Sequence, residues 1–300
     1  MRIDRFLCGA AAMTMAGLGI VAAPPAAQAA TPVPCSEAAL RTAISTANSH
    51  GGAILELSPG CTYTLTAADT GDTDNGLPVI TSPITINGHR DTITRSAAAP
   101  NFRIFEITPP TGNLTLNDLT VSGGRSAAGQ GGGILLDGGG TLTLNRTTVT
   151  HNTAVNQNGN GGGMDNQGTA TLNNSVVTGN TATDVGGGIQ NSGTLVLNQT
   201  FVTGNTAVGQ GGGIFTNGGS VTLTRSVVSG NHLTGASPQG CAIFNNGRST
   251  LTLVQSTVLD NRPRTRTTPA KVRRPARHRR RPGTAPAGPG RQDALWDPGR

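Results

Sequence analysis

Large and charged side chains are scarce in this 300-residue chain: aromatics make up 3% and charged residues 12%, the latter about half the usual quarter. There is one Tyr, one Trp, and a single Lys at position 271. Glycine fills the room, with 44 residues, about twice its usual share. So few bulky residues argue against an ordinary globular core. A disordered chain would carry more charge and less pattern, so the pattern has to decide.

Basic charge is also missing from most of the chain. Residues 31–260 hold eight Arg against twelve Asp and Glu, a net charge of −4, whereas 261–300 hold eleven Arg and one Lys against two Asp, a net +10. The overall +7 therefore gives no case for nucleic-acid binding by the body. Beyond the first thirty residues no segment approaches the ~20 apolar residues of a spanning helix. Residues 1–30 read as a secretory signal: Arg2 and Arg5, an apolar run from Phe6 to Ala23, and Ala27-Gln28-Ala29 ahead of a cut near Ala29 or Ala30. The competing reading, a membrane anchor, is opposed by the small residues and by Pro24-Pro25. Cys8 leaves with the signal. Export makes a Cys35–Cys61 disulfide the expectation and leaves Cys241 as an odd thiol.

What the chain does have is a repeat. Gly112-Asn-Leu-Thr-Leu-Asn117 recurs at Gly140–Asn145, Gly168–Asn173 and Gly193–Asn198, and continues at Gly219–Thr224 and Ser249–Val254. The second Leu of each copy (116, 144, 172, 197, 223, 253) is spaced by 28, 28, 25, 26 and 30 residues. Copies after the first are followed by Val-x-x-Asn ending at Asn152, Asn180, Asn205, Asn231 and Asn261. Glycine triplets with an apolar residue complete the units at Ile134, Met164, Ile189 and Ile214, and a degenerate Gly240-Cys-Ala-Ile243 ends the series. Three short strands per coil of about 26 residues bury apolar faces only by stacking, about 4.8 Å per rung.

The predicted fold is all-β, a single-stranded right-handed parallel β-helix with three strands per coil and a short N-terminal capping helix. Leu114, Leu116 and their equivalents face inward, and Thr115, Thr143, Thr171, Thr222 and Thr252 face out. The Asn positions suit left-handed bends and amide bonds to the next rung, and the glycine triplets suit tight corners. Ser36–Asn48 has helical spacing and is expected to cover the open first coil. The predicted organisation is a signal at 1–30, a cap at 31–52, the β-helix at 53–261 and a disordered basic Pro/Arg-rich tail at 262–300. Because the repeat stops in mid-coil at Asn261, the tail fits three readings: a frameshifted end, a polyanion-binding tail, or a solvated linker.

The glycine-triplet and Asn-ended motifs resemble the repeats of chlamydial polymorphic outer-membrane proteins. Cys35-Ser36-Glu37-Ala38-Ala39-Leu40 with the recurring Gly-Gly-Gly-Ile coils resembles secreted, actinobacterial-type β-helix proteins of the pectate-lyase-like superfamily. The resemblance implies the fold and export. Those groups include adhesins and many proteins without known activity, so it implies no particular chemistry.

Enzymes on this fold use clustered acids on an outer face, and here the Asp residues are scattered and Lys is absent from the body. Asp137 and Asp165 lie two repeat positions apart, so they are not a ladder pair. His89, Arg90 and Asp91 form the catalytic candidate. Asp69, Asp72 and Asp74 form the Ca²⁺ candidate, without the spacing of a known calcium loop. For ligand binding, the position after the apolar residue of the glycine motif is expected to face out, giving Leu135, Asp165, Gln190, Phe215 and Phe244, of which Asp165, Gln190, Phe215 and Phe244 are the candidates and Phe215 and Phe244 stack. The expected role is a secreted or surface β-helix without catalysis, meeting a polysaccharide or the cell envelope. The alternative is a divergent polysaccharide lyase or glycosidase. An ice-binding-like Thr array is set aside because Val196 interrupts it. Self-association through the uncapped last coil is also expected.

Overall fold

Alternation of Thr and Leu puts every second side chain of a strand on one side. In the computed structural model, which describes residues 29–263, those strands stack in parallel and in register. Leu144, Leu172, Leu197 and Leu223 lie on successive rungs, and all are fully buried. The result is a parallel β-solenoid of about eight turns with three sheets and one helix. A 15-stranded sheet carries both the Leu rungs and the Val rungs, joined through the long strands Pro83–Arg95 and Asn113–Ser122. A six-stranded sheet carries the Ile rungs of the glycine motif. A second six-stranded sheet is built from two-residue strands such as Thr153–Ala154 and Thr181–Ala182, which the spacing did not reveal. This second sheet also takes in Arg262–Pro263, so strand pairing runs past Asn261.

Two asparagine series hold the rungs together. Outside, Asn198 donates to Asn173, which donates to Asn145, then Asn117, then Asn87, at 2.8–2.9 Å, and Asn87 donates to Glu56. Inside, Asn152, Asn180, Asn205 and Asn231 are fully buried. The backbone N–H and side-chain amide of each donate to the Oδ1 of the next, ending on Asn261. Neither series takes the left-handed conformation expected of it. That conformation falls on the residue after the outer series and on the residue before the inner one. The amide planes thus stay free to bond along the axis while a neighbour absorbs the bend.

The glycine triplet is explained by close approach. At 161–163 the first glycine has φ +63°, and a Cβ on the second or third would sit 2.4 and 2.7 Å from the carbonyl oxygens of Gly187 and Gly188 in the next coil. The last copy has Cys241 and Ala242 in those two places, where the described residues include no further glycine strand.

The first coil is covered. Helix α1 (Glu37–Ser49) is capped by Ser36, whose side chain accepts from the Ala39 N–H, and it buries Leu40, Ile44 and Ala47. Ahead of it Thr31–Val33 pairs with Ala53–Leu57, a strand that Pro32 had hidden in the sequence. The Cys35–Cys61 disulfide ties helix to coil, with 5.7 Å between the Cα atoms. Cys241 is free and packs beside Ala182, Ala207 and Leu233. The last turn differs: Leu253, Val254, Val258 and Leu259 are 43–47% exposed, while the inward Leu223 and Val228 one rung below are fully buried. The signal segment with Cys8, and the tail from residue 264, lie outside the described residues.

Candidate functional site

A bend repeated on every rung aligns whatever side chain it carries. At the corner after the Leu strands those residues are Arg90, Asp118, Arg146, Asn174, Gln199, Arg225 and Gln255, all with positive φ (49–71°). L-residues other than Asn and Asp avoid this region, at a cost of order 1–3 kcal/mol each, and glycine alone is free of the penalty. The other left-handed corner has Gly123, Gly179, Gly204 and Gly230 at four of its rungs, with His151 and Asp260 at two others. One corner is therefore relaxed largely by glycine, and its counterpart keeps long polar side chains facing solvent.

Within this ridge Arg146 donates to both oxygens of Asp118, at 2.6 and 2.5 Å. The Arg146 hydrogen bond holds the Asp118 carboxyl below its ordinary range, and the Asp118 carboxylate raises the guanidinium in turn. Arg225 Nε reaches Gln255 at 3.1 Å. Arg90, Asp118 and Arg146 line a cavity of about 350 Å³ with Leu119, Thr120 and Thr148. Arg90 belongs to an insertion: Asn87 aligns with Asn117 and Asp91 with Leu119, so Gly88-His89-Arg90 replaces a single corner residue. Gly88 permits it, since a Cβ there would lie 2.7 Å from the Leu119 Cβ.

The catalytic candidates are only partly gathered. Asp91 is buried, with Oδ1 accepting from the Cys61 N–H and Oδ2 from the His89 N–H. His89 Nε2 sits 2.8 Å from Glu56 Oε1. Of the three, Arg90 alone joins the ridge cavity. The acid run is likewise divided among local bonds. Asp69 accepts from Arg41 and the Gly71 N–H, and Asp72 accepts from the Asp74 N–H and Asn75. Among the described residues no three His, Cys, Asp or Glu side chains gather as a metal centre.

The glycine-motif row corrects one expectation. Its strand parity is outward, yet Leu135 and Asp165 are 5% and 1% exposed and Phe215 is 9%. Phe215 and Phe244 stack with ring centroids 5.5 Å apart. Asp165 aligns with Leu135 below and Gln190 above. Burial pushes the Asp165 carboxyl up to about 7, with Arg103 opposing and Asp137 reinforcing. Asp165 Oδ1 and Gln190 Oε1 find no hydrogen-bond donor. The sequence reading missed this grouping with Arg103, Glu106 and Asp137, in which Arg103 pairs with Glu106 and Asn75. The signal was available: residues two apart on neighbouring rungs share a face.

Three stacked sheets, register-true rungs and an aligned corner describe a solenoid, and the family comparison agrees. Residues 107–267, more than half of the chain, match the family model described as right handed beta helix region. The chain belongs to this right-handed β-helix family. No curated protein matches it. Family membership accounts for the scaffold of this β-helix protein and leaves its ridge to be read from its own residues.

Proposed function

We propose that this β-helix protein is exported and works by binding, with its left-handed corner ridge holding an acidic polysaccharide along the solenoid axis. The single observation that carries the reading is the absence of glycine from the seven ridge positions, although left-handed backbone favours it. Strain retained at one corner and relieved at the other argues that the side chains have work to do. Their chemistry suits carboxylate-bearing sugars: Arg90 and Arg225 stand with three amides along the row, and the third guanidinium, Arg146, is paired with Asp118. Rungs about 4.8 Å apart offer an extended polymer repeated contacts. Export is supported by the leader-like first thirty residues and by the Cys35–Cys61 disulfide. No described helix is long and apolar enough to cross a membrane.

The test is affinity electrophoresis in gels holding polygalacturonate or a neutral glucan, with residues 264–300 removed so that their cations do not contribute. Retardation by the acidic polymer alone is expected, lost in Arg90→Ala/Arg225→Ala. Equal mobility of the variant and the parent would sink the reading.

A second reading, acid–base chemistry on such a polymer, is favoured by Asp165 held near neutral pKa with Asp137 on the same face. Its burial opposes it. Turnover abolished by Asp165→Asn with ridge binding intact would favour that reading.

A further inference from the structure

The last turn leaves an apolar edge with no charge to guard it. From Ser249 to Leu259 there is no charged residue, and edge strands exposed in this way recruit others. Thr250–Val254 pairs with Ser220–Thr224 on one side only. Leu253 and Val258, which continue the buried Leu223 and Val228 rungs, stand 47% and 44% exposed at the end of the core, and the outward Val254 and Leu259 add to the apolar edge.

Three observations select the occupant. Residues 264–300 contain six Pro, and their large apolar residues are Val272, Leu295 and Trp296, so they lack the period-2 run that covers a rung. A further coil in the same register is blocked. A Cβ at Gly212 would lie 2.4 Å from the Cys241 carbonyl oxygen, and Cys241 and Ala242 carry real Cβ atoms at the positions that would meet the next coil. The opposite end of the solenoid is covered by α1 and Thr31–Val33, which removes head-to-tail stacking. What remains is a self-complementary contact. Thr250–Val254 has inward Leu251 and Leu253 placed symmetrically about outward Thr252. Paired antiparallel with its own copy about Thr252, each Leu251 meets the other copy's Leu253 and both stay inward.

We infer that the C-terminal turn is a two-fold dimerisation surface, where the Thr250–Val254 edges of two copies pair antiparallel about Thr252 and close the core. Closure at two copies follows, because each has a single open end among the described residues. The basic segments 264–300 repel one another, so salt strengthens the dimer.

The experiment is sedimentation equilibrium of the exported chain, tail included, at low and high salt. The axis places Thr252 opposite its own copy, so Thr252→Lys and Thr252→Glu each set like charges about 5 Å apart. Thr252 is exposed, so the fold tolerates both changes. Wild type is expected to be a dimer, each variant to associate about tenfold more weakly or less, and an equimolar mixture of the two variants to dimerise again. A wild-type monomer at high salt, open-ended polymers, or a Lys variant that dimerises as well as wild type would each overturn the proposal.

Discussion

Arg146 holds Asp118 by two hydrogen bonds of 2.6 and 2.5 Å across a single rung, and both residues sit in left-handed backbone. Such an exposed pair stabilises the fold little. Its effect is to set the guanidinium and carboxylate in one orientation beside Arg90. Under the proposed binding role, such a ridge would separate two properties that usually move together, stability and affinity.

Arg225→Gly is the direct probe of that separation. Glycine relieves the φ of 50° at this position, which offsets its greater freedom in the unfolded chain, so stability is expected to hold or rise by about 1 kcal/mol. Affinity for the acidic polymer should fall and its salt dependence should flatten. Thermal melts and polymer titrations on the same preparation check both. A marked loss of stability would show that the ridge side chain serves the fold.

Asn205→Leu should be far more damaging than Asn198→Leu. Asn205 Oδ1 accepts from both the N–H and the amide of Asn180, and its own amide donates to the Val177 carbonyl, all in the dry interior. Stranding these groups costs about 3–5 kcal/mol. Asn198 is half-buried with one ladder bond, so about 1 kcal/mol is expected there. Denaturant midpoints of the two variants give the comparison.

Much of this architecture was legible because the rungs repeat. The spacing of Leu116, Leu144, Leu172, Leu197 and Leu223 fixed the inward row, and Ser36–Asn48 carried its own cap and apolar stripe. Failures came where tertiary contacts decide. Thr31–Val33 pairs despite Pro32 because edge strands tolerate proline. The left-handed residue sits beside each asparagine, and a list of turn-forming residue types does not distinguish the two. Asp165 was read as exposed from strand parity, but parity gives direction and the neighbouring chain decides burial. Coil lengths of 25 to 30 residues also hid that Glu106 joins the row of Leu135 and Asp165.

Reducing Cys35–Cys61 should loosen the cap first. The bridge closes a 26-residue separation, worth roughly 3 kcal/mol in the chain-entropy model. It spans α1, which shields Tyr63 and the first strands. With reductant, hydrogen exchange should rise over residues 31–65 and stay unchanged over the Leu144–Leu223 rungs. Uniform acceleration along the solenoid would show that the cap and the rungs unfold together.

Asp165 makes the fold more stable in mild acid than at neutrality. Its carboxyl titrates near 7 in the folded protein, against 3.8 as the ordinary value, because burial disfavours its charge. Below about pH 4 both folded and unfolded chains hold the proton and the group contributes no pH dependence. Between about 4 and 7 the unfolded chain gives the proton up and the folded one keeps it, so the unfolded state binds fewer protons and stability falls as pH rises. Above about 7 both are ionised and the loss, a few kcal/mol at most, is complete. Asp165→Asn removes the titration and keeps the shape, so it should raise the melting temperature at pH 7.5 and change it little at pH 4. A wild-type melting curve without this decline, or an Asn variant that melts lower at pH 7.5, would mean that Asp165 is stabilised as an anion by the nearby Arg103.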